Sequence, residues 1–467
     1  KDKLERSMPR VDELPFEAER RCMVTLHRST EDLHAFVKGA PERIIEGCVD
    51  RLTERGREAI DDGVLREADE LASRGYRVLG LACRLEFPDH DEAKAQLDGS
   101  WTFLGFVGLI DPPRPGVMDA IRECKSAGIS PVMITGDHPV TAVAIASELG
   151  FPCSSSQSLT GRELAALSEE ELEDRVEGIH VYARVDPEQK IRIVKALQAK
   201  GHFVAMTGDG VNDAPALKAA TIGVAMGQRG TEVAREAAEV VLLDDSFETI
   251  VAAVRDGRRI YDDIRKFIRY TMTSNSGEIW VLVLAPLFGL PLPLLPLHIL
   301  WINLVTDGLP GLALSAEPAE RGVMRRKPRP PQESIFSQAM VLHIFLVGLL
   351  IGGLTLATQA WAWQQGREEW QTMVFTVLVV SQLFHCLAIR SEYDSIFGIG
   401  FASNPSLLFA LTVTIAAQLA VIYVPVFAVI FRTVPLSAAQ LGACFAIGSI
   451  VFVTVEAEKW VRRRRRA

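Results

Sequence analysis

Two kinds of hydrophobic pattern divide the chain. Up to about Lys266 the apolar positions come in short runs broken by Gly, Pro, Asp and charged stretches. Beyond it they merge into stretches of about 20 residues, the length a helix needs to cross a hydrocarbon core of about 30 Å. In the first region "RCMVTLHR" and "HAFVKGA" alternate and predict antiparallel strands. A charged helical stretch, "REAIDDGVLREADELASRGY", and another strand, "RVLGLACRLE", follow. From about Trp101 the period changes. "TFLGFVGLI" is a continuous apolar run and "RPGVMDAIRECKSAG" has helical spacing ending in Gly. "SPVMITGD" predicts a buried strand and "PVTAVAIASELG" a second helix. "HVYARV", a helix from Pro187 to Lys200, "HFVAMTGDG" and "IGVAMG" repeat the theme. Strands alternating with helices predict a parallel sheet covered on both faces, with ligands beyond the carboxyl ends of its strands.

The apolar stretches predict six membrane spans, at about 267–290, 295–316, 340–363, 370–388, 406–431 and 437–459. Lys and Arg crowd "RRIYDDIRKFIR", "RGVMRRKPRPP" and the terminal "RRRRR", whereas the connections near Pro291 and around Gln364–Trp370 are nearly free of them. The soluble part and the C-terminus are therefore expected in the cytosol.

Composition narrows the picture. The 467 residues carry 59 Asp and Glu against 50 Lys and Arg, a net charge of −9. Long apolar stretches beside so many charges exclude a purely soluble enzyme and a disordered chain. The seven cysteines are scattered without a CxxC or Cys/His cluster, so neither a zinc module nor a disulfide framework is signalled. Net acidity without a basic, aromatic-interleaved patch argues against nucleic acid. The chain opens at Lys1 with neither initiator Met nor signal peptide, and reads as the C-terminal part of a longer protein.

Candidate chemistry sits at three successive strand ends, "MITGD" (Met133–Asp137), "DPEQK" (Asp186–Lys190) and "MTGDGVNDAP" (Met206–Pro215). Phosphoryl transfer needs positive charge, hydrogen-bond donors and a metal around the moving group. Thr135 with the backbone N–H groups of Gly136 and Asp137 could hold phosphate oxygens, and Lys190 could neutralise them. Asp209 and Asp213 are hard oxygen ligands suited to Mg²⁺, and Asn212 is a further donor. Either Thr-Gly-Asp alone is equally well a turn after a strand; three such segments in this order are not.

The spans hold a second constellation. Asn275 and Glu278 fall at i and i+3 on one helix face, and Asn303, Thr306 and Asp307 at i, i+3 and i+4. Gly308 and Pro310 are expected to disturb the helix just beyond. Polar groups in a span mark an ion path or a buried pair. An all-oxygen set suits a hard cation and disfavours copper or zinc.

These segments make the chain similar to the C-terminal part of P-type cation-pumping ATPases, nearest the calcium-pump group; "KGAPE", "DPPR", "TGDGVNDAPAL" and "GTEVAREAAEVVLLDDSF" carry the resemblance. It implies three parts: a partial α+β nucleotide-binding domain (1–95), an α/β haloacid-dehalogenase-like phosphorylation domain with a Rossmann-like parallel sheet (96–265), and an all-α transmembrane region of six helices (266–467). By position in the family, Phe16 would stack on adenine, Arg21 and Lys38 would flank the nucleotide, with Gly39 leaving room, and Arg77 would contact the phosphates. Read alone, Phe16 suits a core and the basic residues a solvated face. The family's Asp-Lys-Thr-Gly-Thr nucleophile segment, actuator domain and first four membrane helices are not in this sequence, so the chain alone is not expected to turn over ATP. The calcium-pump pattern places Asn275, Glu278, Asn303, Thr306 and Asp307 on the transported ion, and Gln382 where two-site pumps carry a Glu; one Ca²⁺ per cycle is the expectation. His385, one turn from Gln382, reads as structural. The resemblance thus implies an ATP-driven, Mg²⁺-dependent Ca²⁺ pump in the lipid bilayer, the plasma membrane in a prokaryote. A pump for Mn²⁺, Na⁺ or K⁺, or a non-catalytic nucleotide-binding module of a split pump, stays open.

Overall fold

The computed structural model describes residues 2–17, 20–29, 32–61, 63–87, 100–109, 113–154, 156–330 and 333–464. Asp111 of the "DPPR" segment lies outside them. The chain forms two compact units, 1–251 and 252–467.

In the first unit, β1 (Arg10–Leu14), β2 (Cys22–Arg28), β3 (Leu33–Gly39), β4 (Cys48–Thr53), β5 (Gly56–Ala59), β6 (Arg77–Phe87) and β7 (Trp101–Leu109) build one sheet in the order β1-β2-β3-β6-β7-β4-β5. Every neighbouring pair is antiparallel except β4 with β7. The alternation read in the sequence is real: Cys22, Val24 and Leu26 on β2, and Leu33, Ala35 and Val37 on β3, point into one core. The strand at Trp101–Leu109, expected to open the parallel region, instead belongs here. Its partners are β6 and β4, and its Trp101 and Phe103 join the same core. A continuous apolar run does not say which sheet a strand joins, and here only Trp101, Thr102 and Phe103 of it are buried.

The strand–helix alternation beyond it forms two three-stranded parallel sheets. One is β8 (Met133–Thr135), β9 (Ser158–Thr160) and β10 (Val181–Ala183) in the order β8-β10-β9; the other is β11 (Ala205–Gly208), β12 (Ile222–Met226) and β13 (Val240–Leu242) in chain order. Helix α1 (Pro187–Ala199) is common to both: Ile193 and Ala196 pack with Leu159 and Tyr182, while Val194 packs with Met206 and Ala225. Ile134 of β8 touches both clusters.

The second unit is helical. Among the described residues, five helices are long and apolar enough to cross a membrane: α3 (Pro296–Leu314), α4 (Gln338–Gln364), α5 (Trp370–Ala388), α6 (Pro405–Tyr423) and α7 (Ala438–Arg464). The first expected span falls in the C-terminal half of α2 (Phe247–Leu287), a 41-residue helix whose N-terminal half is strongly charged. The expected span at 406–431 is two helices, because the chain is extended at Val424 before Pro425. Nearly all of α5 is buried, which makes it the central helix. Helices α2 and α4 approach closely where side chains vanish: a Cβ on Gly352 would lie 2.7 Å from Trp280 Cβ, and one on Gly348 would collide with Ser276. One fully buried ion pair anchors the unit. Arg390, 1% exposed, donates from Nη2 to Glu317 Oε1 at 2.7 Å and from Nη1 to the Gly400 and Phe401 carbonyls, while Asn404 Nδ2 donates to Glu317 Oε2 at 2.7 Å.

Candidate functional site

The residues singled out in the first unit converge at the carboxyl ends of β8, β10 and β11. Thr135 ends β8; the Asp137 N–H donates to its hydroxyl at 3.1 Å, and the hydroxyl donates to Asp137 Oδ2 at 3.1 Å. Beyond β10, the N–H of Val185 donates to Thr135 O and that of Arg184 to Asp137 O, which ties this loop to the start of α1. One turn into α1, Lys190 Nζ donates to Asp213 Oδ1 at 2.6 Å. Asp213 Oδ2 accepts from the N–H groups of Asp209 and Gly210 at 3.2 and 3.1 Å. Gly208 is needed where it stands, since a Cβ there would lie 2.5 Å from Asp213 Cβ. Burial alone would raise the Asp213 carboxyl, but the Lys190 ammonium and the two N–H groups outweigh it and hold the carboxyl below its ordinary range.

The geometry therefore separates two acids that the sequence presents alike. Asp213 is buried and its oxygens serve three N–H donors, so it organises the loop. Asp209 and Asn212 are exposed beside it, leaving Asp209 as the carboxylate available to a hard cation such as Mg²⁺. Arg77 reaches this loop from the other sheet, its Nη2 lying 3.3 Å from Asp137 Oδ1.

Among the nucleotide candidates, Phe16 stands between β1 and β2 at 62% exposure, so the core does not use its ring. Arg21 and the Lys38–Gly39 pair are brought together: Cys22 pairs with Gly39, Ala40 N–H donates to Arg21 O at 3.0 Å, and a Cβ on Gly39 would lie 2.5 Å from that oxygen. Lys38 is exposed.

In the membrane unit, Glu278 of α2 lies between two amides. Gln382 Nε2 of α5 donates to Oε1 at 3.2 Å, and Asn303 Nδ2 of α3 faces Oε2 at 3.4 Å. Helix α3 is broken as expected, but earlier than expected. Instead of failing at Gly308 and Pro310, it widens into a π turn over Ile302–Thr306, with Asp307 N–H donating to Ile302 O at 2.8 Å; regular helix resumes at Gly308. Asp307, 4% exposed, and Glu278, 5% exposed, are near enough to repel each other. Neither Asp307 oxygen accepts a hydrogen bond, and the Thr306 hydroxyl and Gln382 Oε1 are also unpartnered. Among the described residues, no Lys or Arg pairs with either acid. A group of inward oxygens with unused lone pairs and no fixed counter-charge is what a dehydrated hard cation requires. Asn275, half-buried, lies one turn before Glu278.

Two contributors were missed in the sequence. The Tyr270 hydroxyl donates to Thr306 O at 2.9 Å, holding the π turn, and Ser274 is buried beside Asp307. Tyr270, Ser274 and Glu278 fall at i, i+4 and i+8, a one-face spacing that could have found both.

Comparison with known proteins bears on both sites. Residues 1–116 match the family model described as P-type ATPase, cytoplasmic domain N, and residues 291–461 that of the cation transporting ATPase C-terminus. Similar proteins include calcium-transporting ATPase 1 of Bacillus cereus, 41% identical over 99% of this chain and 54% of its own length. A calcium-transporting ATPase of Bacillus subtilis is 44% identical (91% and 49%), and calcium-transporting ATPase type 2C member 1 of Homo sapiens is 38% identical (99% and 50%). The chain spans about half the length of the curated relatives it matches.

Proposed function

The chain belongs to the P-type cation-transporting ATPase family, and we propose that it is the C-terminal portion of an ATP-driven pump moving Ca²⁺ across a membrane through an aspartyl-phosphate intermediate. The observation that carries this reading is the pair of buried acids, Glu278 and Asp307, with the Asn303 and Gln382 amides against Glu278, unpartnered oxygens at Thr306 and Gln382, and no basic partner among the described residues. Asn275, Asn303, Thr306 and Gln382 complete the cation's ligand set. With an amide at Gln382, two negative charges face the cation, which suits one doubly charged ion per cycle.

In the first unit the parts divide as follows. Phe16 receives the adenine, Arg21 and Lys38 flank the nucleotide, and Arg77 reaches toward its phosphates from beside Asp137. Thr135 with the Gly136 and Asp137 N–H groups donates to the phosphoryl oxygens. Lys190 serves by charge and by fixing Asp213, which shapes the loop bearing Asp209 and Asn212. Mg²⁺ at Asp209 would neutralise phosphate charge. The phosphorylated Asp itself comes from the upstream half of the pump. The strand ends and their helices fit a haloacid-dehalogenase-like domain. The exposed apolar face of α2, with Ile279, Val283 and Leu287, fits a sixth membrane helix. The basic segments fit cytosolic soluble domains and C-terminus.

The test is Asp307→Ala in the complete pump. ATP-dependent ⁴⁵Ca²⁺ uptake should disappear while the protein still folds; uptake at the wild-type rate would dismiss the site. The all-oxygen ligand set would also accept Mn²⁺, and competition by Mn²⁺ for uptake measures that preference.

A further inference from the structure

Beside the cation site lies a chain of titratable groups that the pump reading does not use. His343 of α4 and His385 of α5 are 5% and 0% exposed. Their Nε2 atoms are 3.2 Å apart and their ring centres 5.5 Å apart. That combination arises when the N–N line runs along both ring planes, so the two nitrogens share one proton in an in-line hydrogen bond. Lone pairs aimed at each other do not converge on a metal, and among the described residues no three His, Cys, Asp or Glu are grouped as a metal site would need. On its other side, His343 Nδ1 lies 3.1 Å from Glu458 Oε2 of α7; that carboxylate is one-third exposed and bridges to Arg462. At the inner end, His385 Nδ1 is buried with no hydrogen-bond partner.

A histidine retained only for packing would satisfy both nitrogens or exclude the second. Here one nitrogen is wholly buried and left unsatisfied. The His385 ring stacks on Tyr270, with ring centres 6.1 Å apart, and the Tyr270 hydroxyl reaches Thr306 O beside Asp307. Tyr270 therefore touches the imidazole pair with its ring and the cation site with its hydroxyl. The charged groups acting on the pair are Glu458 and Arg462 of α7 and Arg269 of α2, the last paired with Glu392.

We infer that Glu458, His343 and His385 form a proton relay between the cation chamber and the protein surface at Glu458. Protons displaced when a cation enters leave by this route; the inference rests on the pump reading above. The transfers balance. A proton from the chamber, carried by one water, bonds to His385 Nδ1 as the Nε2–H bond of His385 breaks. That proton bonds to His343 Nε2, the Nδ1–H bond of His343 breaks, and Glu458 takes the proton and passes it to solvent. Each imidazole accepts on one nitrogen while releasing from the other, so neither ring changes its net charge.

The test uses the complete pump, purified, without ATP. Ca²⁺ is mixed rapidly with the protein in weakly buffered medium containing a pH indicator, and equilibrium ⁴⁵Ca²⁺ binding is measured alongside. The wild type should release protons on binding Ca²⁺. His343→Gln, His385→Gln and Glu458→Gln should each slow that release tenfold or more while Ca²⁺ affinity stays within twofold, and acetate should restore the rate in Glu458→Ala. Release at the wild-type rate in Glu458→Gln, the variant on the partly exposed residue, would overturn the relay even if the buried histidine variants fail to fold. So would Ca²⁺ binding by the wild type without proton release. A wild type that binds no Ca²⁺ would instead overturn the pump reading.

Discussion

Arg390→Met should be among the most damaging single changes in the membrane unit. The guanidinium is 1% exposed and Glu317 2%, and the arginine also supplies donors to the Gly400 and Phe401 carbonyls. Its removal leaves the carboxylate with Asn404 Nδ2 in a site closed to water. Stripping one partner from a buried ion pair costs about 3–5 kcal/mol. We expect a loss of about 4 kcal/mol. Replacing Glu317 by Gln in the same protein should recover most of the loss, since no buried charge is then left alone. Denaturant titrations of the complete protein and both variants in detergent micelles measure both effects. A loss below about 1 kcal/mol, or no recovery when Glu317 is also replaced, would refute the reasoning.

Gly208→Ala should abolish phosphorylation by ATP and destabilise the first unit by about 1–3 kcal/mol, since its methyl must displace Asp213; ³²P labelling and unfolding curves check the two parts. The Asp213 carboxyl is held low in the folded state, so its contribution to stability is present above the unfolded value of about 4 and lost as pH falls through the folded one. Asp213→Asn should therefore lower stability at pH 7 and flatten its acid dependence, as read from unfolding midpoints between pH 3 and 7. Tyr270→Phe removes the hydroxyl that donates to Thr306 O and should cost about 1 kcal/mol. The same change should weaken Ca²⁺ affinity severalfold in ⁴⁵Ca²⁺ binding.

Local chemistry was legible in the sequence wherever it is written in consecutive residues. The strand-end segments at Thr135, Lys190 and Asp209 announce themselves by turn residues following apolar runs, and the structure brings them together. Their division of labour was not legible: Asp209 and Asp213 look equivalent until burial and the reach of Lys190 distinguish them. Strand pairing was hidden for a similar reason. Nothing in "TFLGFVGLI" states that its partners are β4 and β6, because ladder contacts depend on residues distant in the chain. In the membrane, the polar positions on α2 and α3 stood out against an apolar background. The Arg390–Glu317–Asn404 cluster did not, because charges near span ends look like ordinary interfacial residues until their partners are known.

The π turn at Ile302–Thr306 has a consequence for how this protein tolerates change in length. In a regular helix, each residue added or removed turns everything beyond it by about 100°. The π turn already holds one residue more than an α turn, so deleting one of its five would restore a regular ladder and leave the helix on either side nearly in register. What such a deletion would erase is the widened backbone at which the Tyr270 hydroxyl meets Thr306 O. Elsewhere in α3 nothing absorbs an added residue, and there a change of length should be harsher than most substitutions.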